Sequence, residues 1–327
     1  MPDPSQPRDR GARRAEGPDA TIVIVNYRTP ELVERCVQSV RATSDGLRLE
    51  TVVLDNASGD GSAERLRAAL PEARLVELPA NRGFAAGVNA GFRASHAAIV
   101  IVLNPDTEVR PGALRALVEG LRAQPRTGVA APLLENADGE IAPNGYRRFP
   151  GLLTLALDLC VPAGYAFVHA PALHPYALSP AALRAGRAPA WVSGAAMALR
   201  RDAYEQAGPL DEDFFLYFEE TEWQQRVVRA GWAIAVVPAA RVSHLMRGGG
   251  EDALVHSPYF VTSALRYLRM RGVPVAFSRV VLSLSLALSW VTLRAIACLP
   301  AKRGRALGQA RAYRSLLWRT LTGLVAP

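Results

Sequence analysis

The sequence predicts an α/β protein on a doubly wound, Rossmann-like, mostly parallel sheet, with a helical basic and apolar appendage at its C-terminus. Three observations predict it. Short aliphatic runs alternate with helical patterns up to residue 123, which calls for parallel strands joined by right-handed crossovers. Two of those runs end in polar turns bearing a carboxylate, at Asp55 and at Asn104-Pro105-Asp106, and ligands bind at the carboxyl ends of strands in open α/β sheets. Residues 253–327 carry eleven Arg or Lys and no Asp or Glu, interleaved with Leu, Val and Trp.

Residues 1–19 are rich in Pro, Arg, Asp and Gly without an apolar run, so they are expected to be disordered and show no secretory signal. Thr21 to Val25 reads as a buried strand. Thr29-Pro30-Glu31 then supplies a cap, a first helical position and an acidic first turn for a helix to about Val40. A strand over Glu50–Asp55 passes through the turn Asn56–Ser62 into a helix over Ala63–Leu70. Leu75–Leu78 reads as a strand, Phe84–Ser95 as a helix, 98–103 as a strand buried on both faces, and Pro111–Ala123 as a helix. The stretch 133–190 is rich in Pro and Gly with weak periodicity, so loops and short elements around an acceptor site are expected there. Order returns over Trp191–Leu199. Helical patterns follow at 201–207 and 219–230, with a strand near Ala233–Val237.

The net charge of +8 conceals an asymmetry, because residues 1–252 hold 27 basic and 30 acidic groups. The sequence pI near 9.8 therefore describes the appendage. A basic stripe interleaved with apolar residues suits an anionic membrane surface better than nucleic acid. Fourteen uncharged residues, Val280 to Leu293, fall short of the roughly 20 that a spanning helix needs. Leu307, Ala310, Tyr313, Leu317, Leu321 and Leu324 recur at helical spacing with Arg303, Arg305, Arg311, Arg314 and Arg319 between them. That pattern reads as an interfacial helix, and the alternative is packing on the main domain or on a second subunit of a homo-oligomer. Domain bounds follow as 1–19, 20–252 and 253–327. The three cysteines, Cys36, Cys160 and Cys298, are odd in number and widely spaced, which argues for a reducing, cytoplasmic setting without a disulfide framework or structural zinc.

Asn104-Pro105-Asp106 is a good turn sequence in its own right. Its carboxylate can also hold a divalent cation against a ligand's phosphates. Asp55, ending a central strand, can accept a hydrogen bond from a base imide or cap the turn that follows. Asn81–Asn89 contains Gly83 and Gly87 for close backbone approach, and Arg82 can face phosphate. It is not a Gly-x-Gly-x-x-Gly loop, and the only lysine is Lys302, so dinucleotide and P-loop readings fall away. Asp211–Trp223 sets acids beside Phe214, Phe215, Tyr217 and Phe218. Carboxylates held against apolar rings have raised pKa values, which suits a general base, although acids also stabilise a helix start. His244 precedes the glycine run 248–250, which suits a metal ligand or a phosphate contact beneath a lid.

In this order, segments 23–27, 53–62, 81–91, 103–109, 193–197, 214–220 and His244 together resemble the inverting family-2 glycosyltransferases of GT-A fold, most closely their rhamnosyltransferase-like bacterial branch. The resemblance covers about residues 20–250 and implies a role for each matching residue. Asp55 would bind the base, with Asn26, Arg82, Asn89 and Asn104 in the nucleotide-sugar pocket. Asp106 and His244 would hold Mn²⁺ or Mg²⁺, and Glu220 would be the catalytic base. Gly194, Glu219, Glu222 and Trp223 would line or support the acceptor region. The implied reaction moves a sugar from a nucleotide-diphosphate donor, dTDP-rhamnose before UDP-hexose, to a glycan or polyprenyl-linked acceptor at the inner face of the membrane, with no nucleic-acid partner. Two departures stand out: Asn104 replaces the first Asp of the family's Asp-x-Asp, and Glu220 stands where Asp is usual. The alternatives are a sugar nucleotidyltransferase and a non-catalytic glycan- or nucleotide-binding protein.

Overall fold

The computed structural model describes residues 17–44, 46–142, 145–162, 178–245, 257, 259–300 and 303–322. The first half follows the predicted alternation: β1 (Ala20–Asn26), α1 (Pro30–Ala42), β2 (Leu49–Asp55), α2 (Ser62–Ala69), β3 (Arg74–Glu77), α3 (Gly83–Ala94) and β4 (Ile99–Leu103). β1 and β4 are buried along their whole length, as parallel strands covered on both faces must be. After β4 come β5 (Thr107–Val109), α4 (Ala113–Ala123), β6 (Thr127–Glu135), β7 (Tyr146–Arg147), α5 (Leu152–Asp158), α6 (Pro180–Arg184), β8 (Trp191–Val192), β9 (Ala196–Arg200), α7 (Arg201–Ala207), α8 (Glu219–Arg229) and β10 (Ala233–His244). Three C-terminal helices close the described chain: α9 (Tyr259–Met270), α10 (Val275–Ile296) and α11 (Arg303–Thr322).

Eight strands form one sheet in the order β3-β2-β1-β4-β9-β6-β10-β5. β3, β2, β1 and β4 run parallel, as do β6 and β10. β9 enters antiparallel between β4 and β6, and β5 pairs antiparallel with the end of β10. The sheet is thus parallel-dominant but mixed, and its carboxyl edge gathers Asp55, Asn104 and His244.

Three expectations change. β6, all nine residues buried, was given no element over 127–132 and falls inside the stretch read as irregular from 133 on, because Gly128 and Pro132 interrupt its aliphatic pattern. The ordered stretch 191–199 is two strands separated by the turn Ser193-Gly194-Ala195. The apolar segment in the tail lies in α10, a 22-residue helix with a mean hydropathy of 1.6, long and apolar enough by length and composition to cross a membrane. Counting only between arginines understated it, since the helix continues through Arg279 and Arg294.

Two apolar cores are present. The main one fills both faces of the sheet. The second is built from α9, α10 and α11 together with α5, Phe214 and Phe218, so it draws on residues from both sides of position 252. The glycine run 248–250 and the N-terminal residues 1–16 lie outside the described residues.

Candidate active site

At the end of β2, Asp55 accepts three hydrogen bonds. Its Oδ1 accepts from Asn26 Nδ2 (2.7 Å) and Ser58 Oγ (2.6 Å), and its Oδ2 from the Ser58 amide (3.0 Å). Asn26 is fully buried and uses its side-chain Oδ1 to accept from the Thr29 amide and hydroxyl. The sequence set Asn26 along the nucleoside; it lies one layer beneath, orienting the carboxylate and the start of α1. Asp55 borders a cleft of about 480 Å³ lined by Ala57, Gly59, Glu77 and Leu78 among others. Arg28, with a left-handed φ of +57°, is exposed beside this turn and has its Nε fixed on Ser58 O (3.0 Å). The sequence reading gave it no role, although a cation directly after the first strand was a signal.

At the end of β4 the backbone amide of Asn104 donates to Ala195 O (2.8 Å), and Thr107 closes the turn onto Asn104 O. Asp106 then meets His244, 138 residues later, with Oδ1 and Nε2 3.2 Å apart and both side chains about one-fifth exposed. The pairing of β10 with β5 sets His244 opposite Thr107, and the Leu245 amide donates to Asp106 O. Among the described residues no cluster of three or more His, Cys, Asp or Glu forms. One carboxylate and one imidazole on an open edge still suit a cation whose remaining ligands come from substrate phosphates and water.

The turn 193–195 links this edge to the acids of α8. Gly194 has no side chain because a Cβ there would stand 3.2 Å from Phe84 Cε1 and 3.6 Å from Glu220 Cγ. Gln224 fixes the approach to that turn, exchanging two hydrogen bonds with the Val192 backbone (2.8 and 2.7 Å). Glu219 is buried, and Oε2 of both Glu219 and Glu220 is shut off from solvent without a hydrogen-bond partner among the described residues. Burial raises the pKa of both carboxyls, Glu219 well above its ordinary value; repulsion from Glu220 adds to this, while backbone amides at Gly194 and Thr221 pull Glu220 the other way. A group held this way can keep or accept a proton near neutral pH.

The backbone leading into these acids is strained. Tyr217 and Phe218 have φ of +69° and +70°, a conformation that costs bulky residues on the order of 1–2 kcal/mol each. Gly83, φ +86°, sits against the same segment so closely that a Cβ would lie 2.1 Å from Phe215 O. That carbonyl accepts the Phe84 amide (3.1 Å), fixing the start of α3 to the acidic segment.

The remaining predicted residues have partners within the protein. Arg82 is mostly exposed and pairs with Glu212 at 3.1 Å. Asn89 is buried, donating to Leu210 O and Glu212 and accepting from Tyr204 and the Leu210 amide. Its support therefore goes to the turn at 210–212. Glu222 receives Arg226 Nε on both oxygens (2.9 and 3.0 Å), and Arg226 in turn donates to the carbonyls of Ala207 and Pro209. Trp223 is fully buried and donates to Gly208 O. Glu222 and Trp223 thus lock α8 onto the end of α7.

Comparison with known proteins gives three findings. A sequence model of glycosyl transferase family 2 matches residues 21–157. The N-acetylglucosaminyl-diphospho-decaprenol L-rhamnosyltransferase of Mycobacterium tuberculosis is 30% identical over 250 residues, covering 72% of this chain and 79% of that protein. Among solved structures, a mannosyltransferase of Pyrobaculum calidifontis in complex with GDP-Man and Mn²⁺ superposes with a TM-score of 0.55 at 18% identity, covering 98% of this chain and 92% of that one. GalNAc-T7 with UDP, GalNAc and Mn²⁺ gives 0.56 at 16% identity, over 78% of this chain and 48% of that one.

Proposed function

From the premise that the chain belongs to glycosyl transferase family 2, we propose that it transfers a sugar, with inversion, from a nucleotide-diphosphate donor to a hydroxyl of a polyprenyl-linked glycan. The observation that carries this reading is the convergence, through the Asn104–Ala195 and Gly194–Glu220 contacts, of an aspartate–histidine pair and a buried carboxyl on one edge of the sheet. The rhamnosyltransferase relative favours dTDP-rhamnose as donor, with UDP-hexoses next.

Asp55, held by Asn26 and Ser58, presents its remaining lone pair to the base edge, while exposed Arg28 and Arg82 are available to the diphosphate. Asp106 and His244 would hold a divalent cation, whose charge offsets that of the departing diphosphate; solved neighbours containing Mn²⁺ support this. Glu220, ionised, accepts the proton of the acceptor hydroxyl as that oxygen bonds to the anomeric carbon. The bond from that carbon to the diphosphate oxygen breaks on the opposite face.

We also infer attachment at the membrane surface. α10 buries Leu282, Leu286 and Leu293 in the second core but exposes Phe277, Val280, Leu284, Leu288 and Val291 along its other face, each more than half accessible. Exposed Arg294 lies on the same helix, and exposed Arg311, Arg314 and Arg319 lie on α11. An apolar stripe bordered by cations, without acids, suits the interface of an anionic bilayer. A helix packed on one face into protein favours lying in the surface over crossing it.

Thermal-shift titration with nucleotide sugars tests the main reading. dTDP-rhamnose or a UDP-hexose is expected to stabilise the protein more with Mn²⁺ than without, and Asp106→Asn to remove that increment. Stabilisation by none of them, with or without metal, would overturn it. For the membrane, flotation with phosphatidylglycerol vesicles is expected to carry the intact protein and to leave the Leu284→Glu/Leu288→Glu variant behind.

A further inference from the structure

We infer that α9, which lies beyond the segment matched by the family model, belongs to the catalytic apparatus: it sets the backbone turn that presents Glu220. The inference rests on the reading of Glu220 as the base.

Between residues 211 and 218 the chain has little regular structure of its own, and one helix meets it along its length. Arg266 donates to Asp211 Oδ2 (2.8 Å) and Asp213 Oδ2 (2.6 Å) while its guanidinium lies 5.2 Å from the Phe214 ring centre. Against the cost of partial burial, Arg266 holds the Asp211 carboxyl below its ordinary pKa. One turn earlier in the helix, Ser263 Oγ donates to Leu216 O at 2.8 Å. Tyr259 stacks on Phe215 with ring centres 4.4 Å apart. Phe260 and Tyr267 each stand 5.4 Å from the Phe218 ring, and Phe260 also meets Tyr217 edge-on.

These contacts fall on the residues that pay for the geometry of the site. Tyr217 and Phe218 are the two left-handed aromatics directly before the buried acids, and such strain persists only where the surroundings over-determine it. The main domain contributes the Phe84–Phe215 backbone bond and the contacts of Glu212 with Arg82 and Asn89. Residues 211, 213, 214, 215, 216, 217 and 218 are each contacted from α9. Without that grip the turn can relax toward ordinary backbone, rotating the first residues of α8 and moving the Glu220 carboxyl away from Gly194. Ser263 and Arg266 are therefore positioning residues, acting through the turn rather than on substrate. The requirement is acute because Glu220 is one methylene longer than the Asp usual at this position, with more freedom to mispoint.

The test uses full-length Ser263→Ala, Arg266→Met and Arg266→Lys beside Glu220→Gln, assayed for transfer kinetics and for the thermal shift given by nucleoside diphosphate. Misplacement of a catalytic group by about 1 Å can cost on the order of a hundredfold in rate. Ser263→Ala and Arg266→Met are expected to lower kcat by about ten- to a hundredfold with donor KM and the nucleotide shift unchanged. Arg266→Lys is expected to recover part of the loss, since lysine keeps the charge but cannot hold two carboxylates and a ring together. An unchanged kcat in both variants, or a parallel loss of kcat, donor affinity and melting temperature, overturns the inference. If Glu220→Gln retains full activity, the assignment of the base falls first; if it is inactive while the α9 variants are not, only the role of α9 falls.

Discussion

Asp55 and Glu220 are carboxylates on one side of one sheet, held in different ways. Asp55 accepts three hydrogen bonds from Asn26 and Ser58 at the end of a strand. Glu220 follows two left-handed aromatics, is held by backbone amides against the cost of burial, and has one oxygen without a partner among the described residues. A recognition site gains from being built before its ligand arrives, because nothing then has to be reorganised on binding. A base needs a carboxyl that is poorly stabilised as an anion, so that taking a proton is favourable. The difference therefore separates binding from proton transfer, and mutations should divide the same way.

The sharpest break would come at Glu220. Glu220→Gln keeps the shape and removes the proton acceptor, so kcat is expected to fall by about 10²- to 10⁴-fold with donor KM nearly unchanged, as steady-state kinetics will read. A rise in donor KM at constant kcat would put Glu220 among the binding residues and erase the distinction. Asp55→Ala should do the converse. It strands the buried Asn26 amide and the Ser58 donors, at about 1–3 kcal/mol of stability, measurable by urea denaturation, and it weakens donor binding while sparing the chemical step at saturating donor.

The half of the sheet from β1 to β4 was legible because its signals are local. β1 and β4 are aliphatic runs and β2 and β3 carry shorter ones, and each turn carries its own polar residues, so Asp55, Asp106 and the start of α3 could be read in place. His244 was singled out from one residue and its neighbours, but the 3.2 Å contact with Asp106 depends on β10 running on to pair with β5. The acidic segment was visible as acids among aromatics. Its strain was not, since nothing in Leu216-Tyr217-Phe218 announces a left-handed backbone. Nor could periodicity show that Asn26 and Asn89 spend their amides within the protein. The tail was read from charge and helical spacing, which show a face but not that Phe214, Phe218 and α5 complete its core.

The finest test of the contrast concerns Glu219, which neither touches the cleft at Asp55 nor finds a partner for Oε2. Burial first, then repulsion from Glu220, raises its carboxyl pKa in the folded chain above the unfolded value. The folded state therefore binds more protons than the unfolded one wherever the pH lies above the ordinary carboxylate range and below the raised value. Stability must fall as pH rises through that window, because the slope follows the excess of protons bound in the unfolded state, which is negative here. Below the ordinary carboxylate pKa both states are protonated and the penalty disappears. Glu219→Gln, a neutral side chain of the same shape, is expected to melt higher than the parent at pH 7–8 and to match it near pH 4, as scanning calorimetry across pH will show.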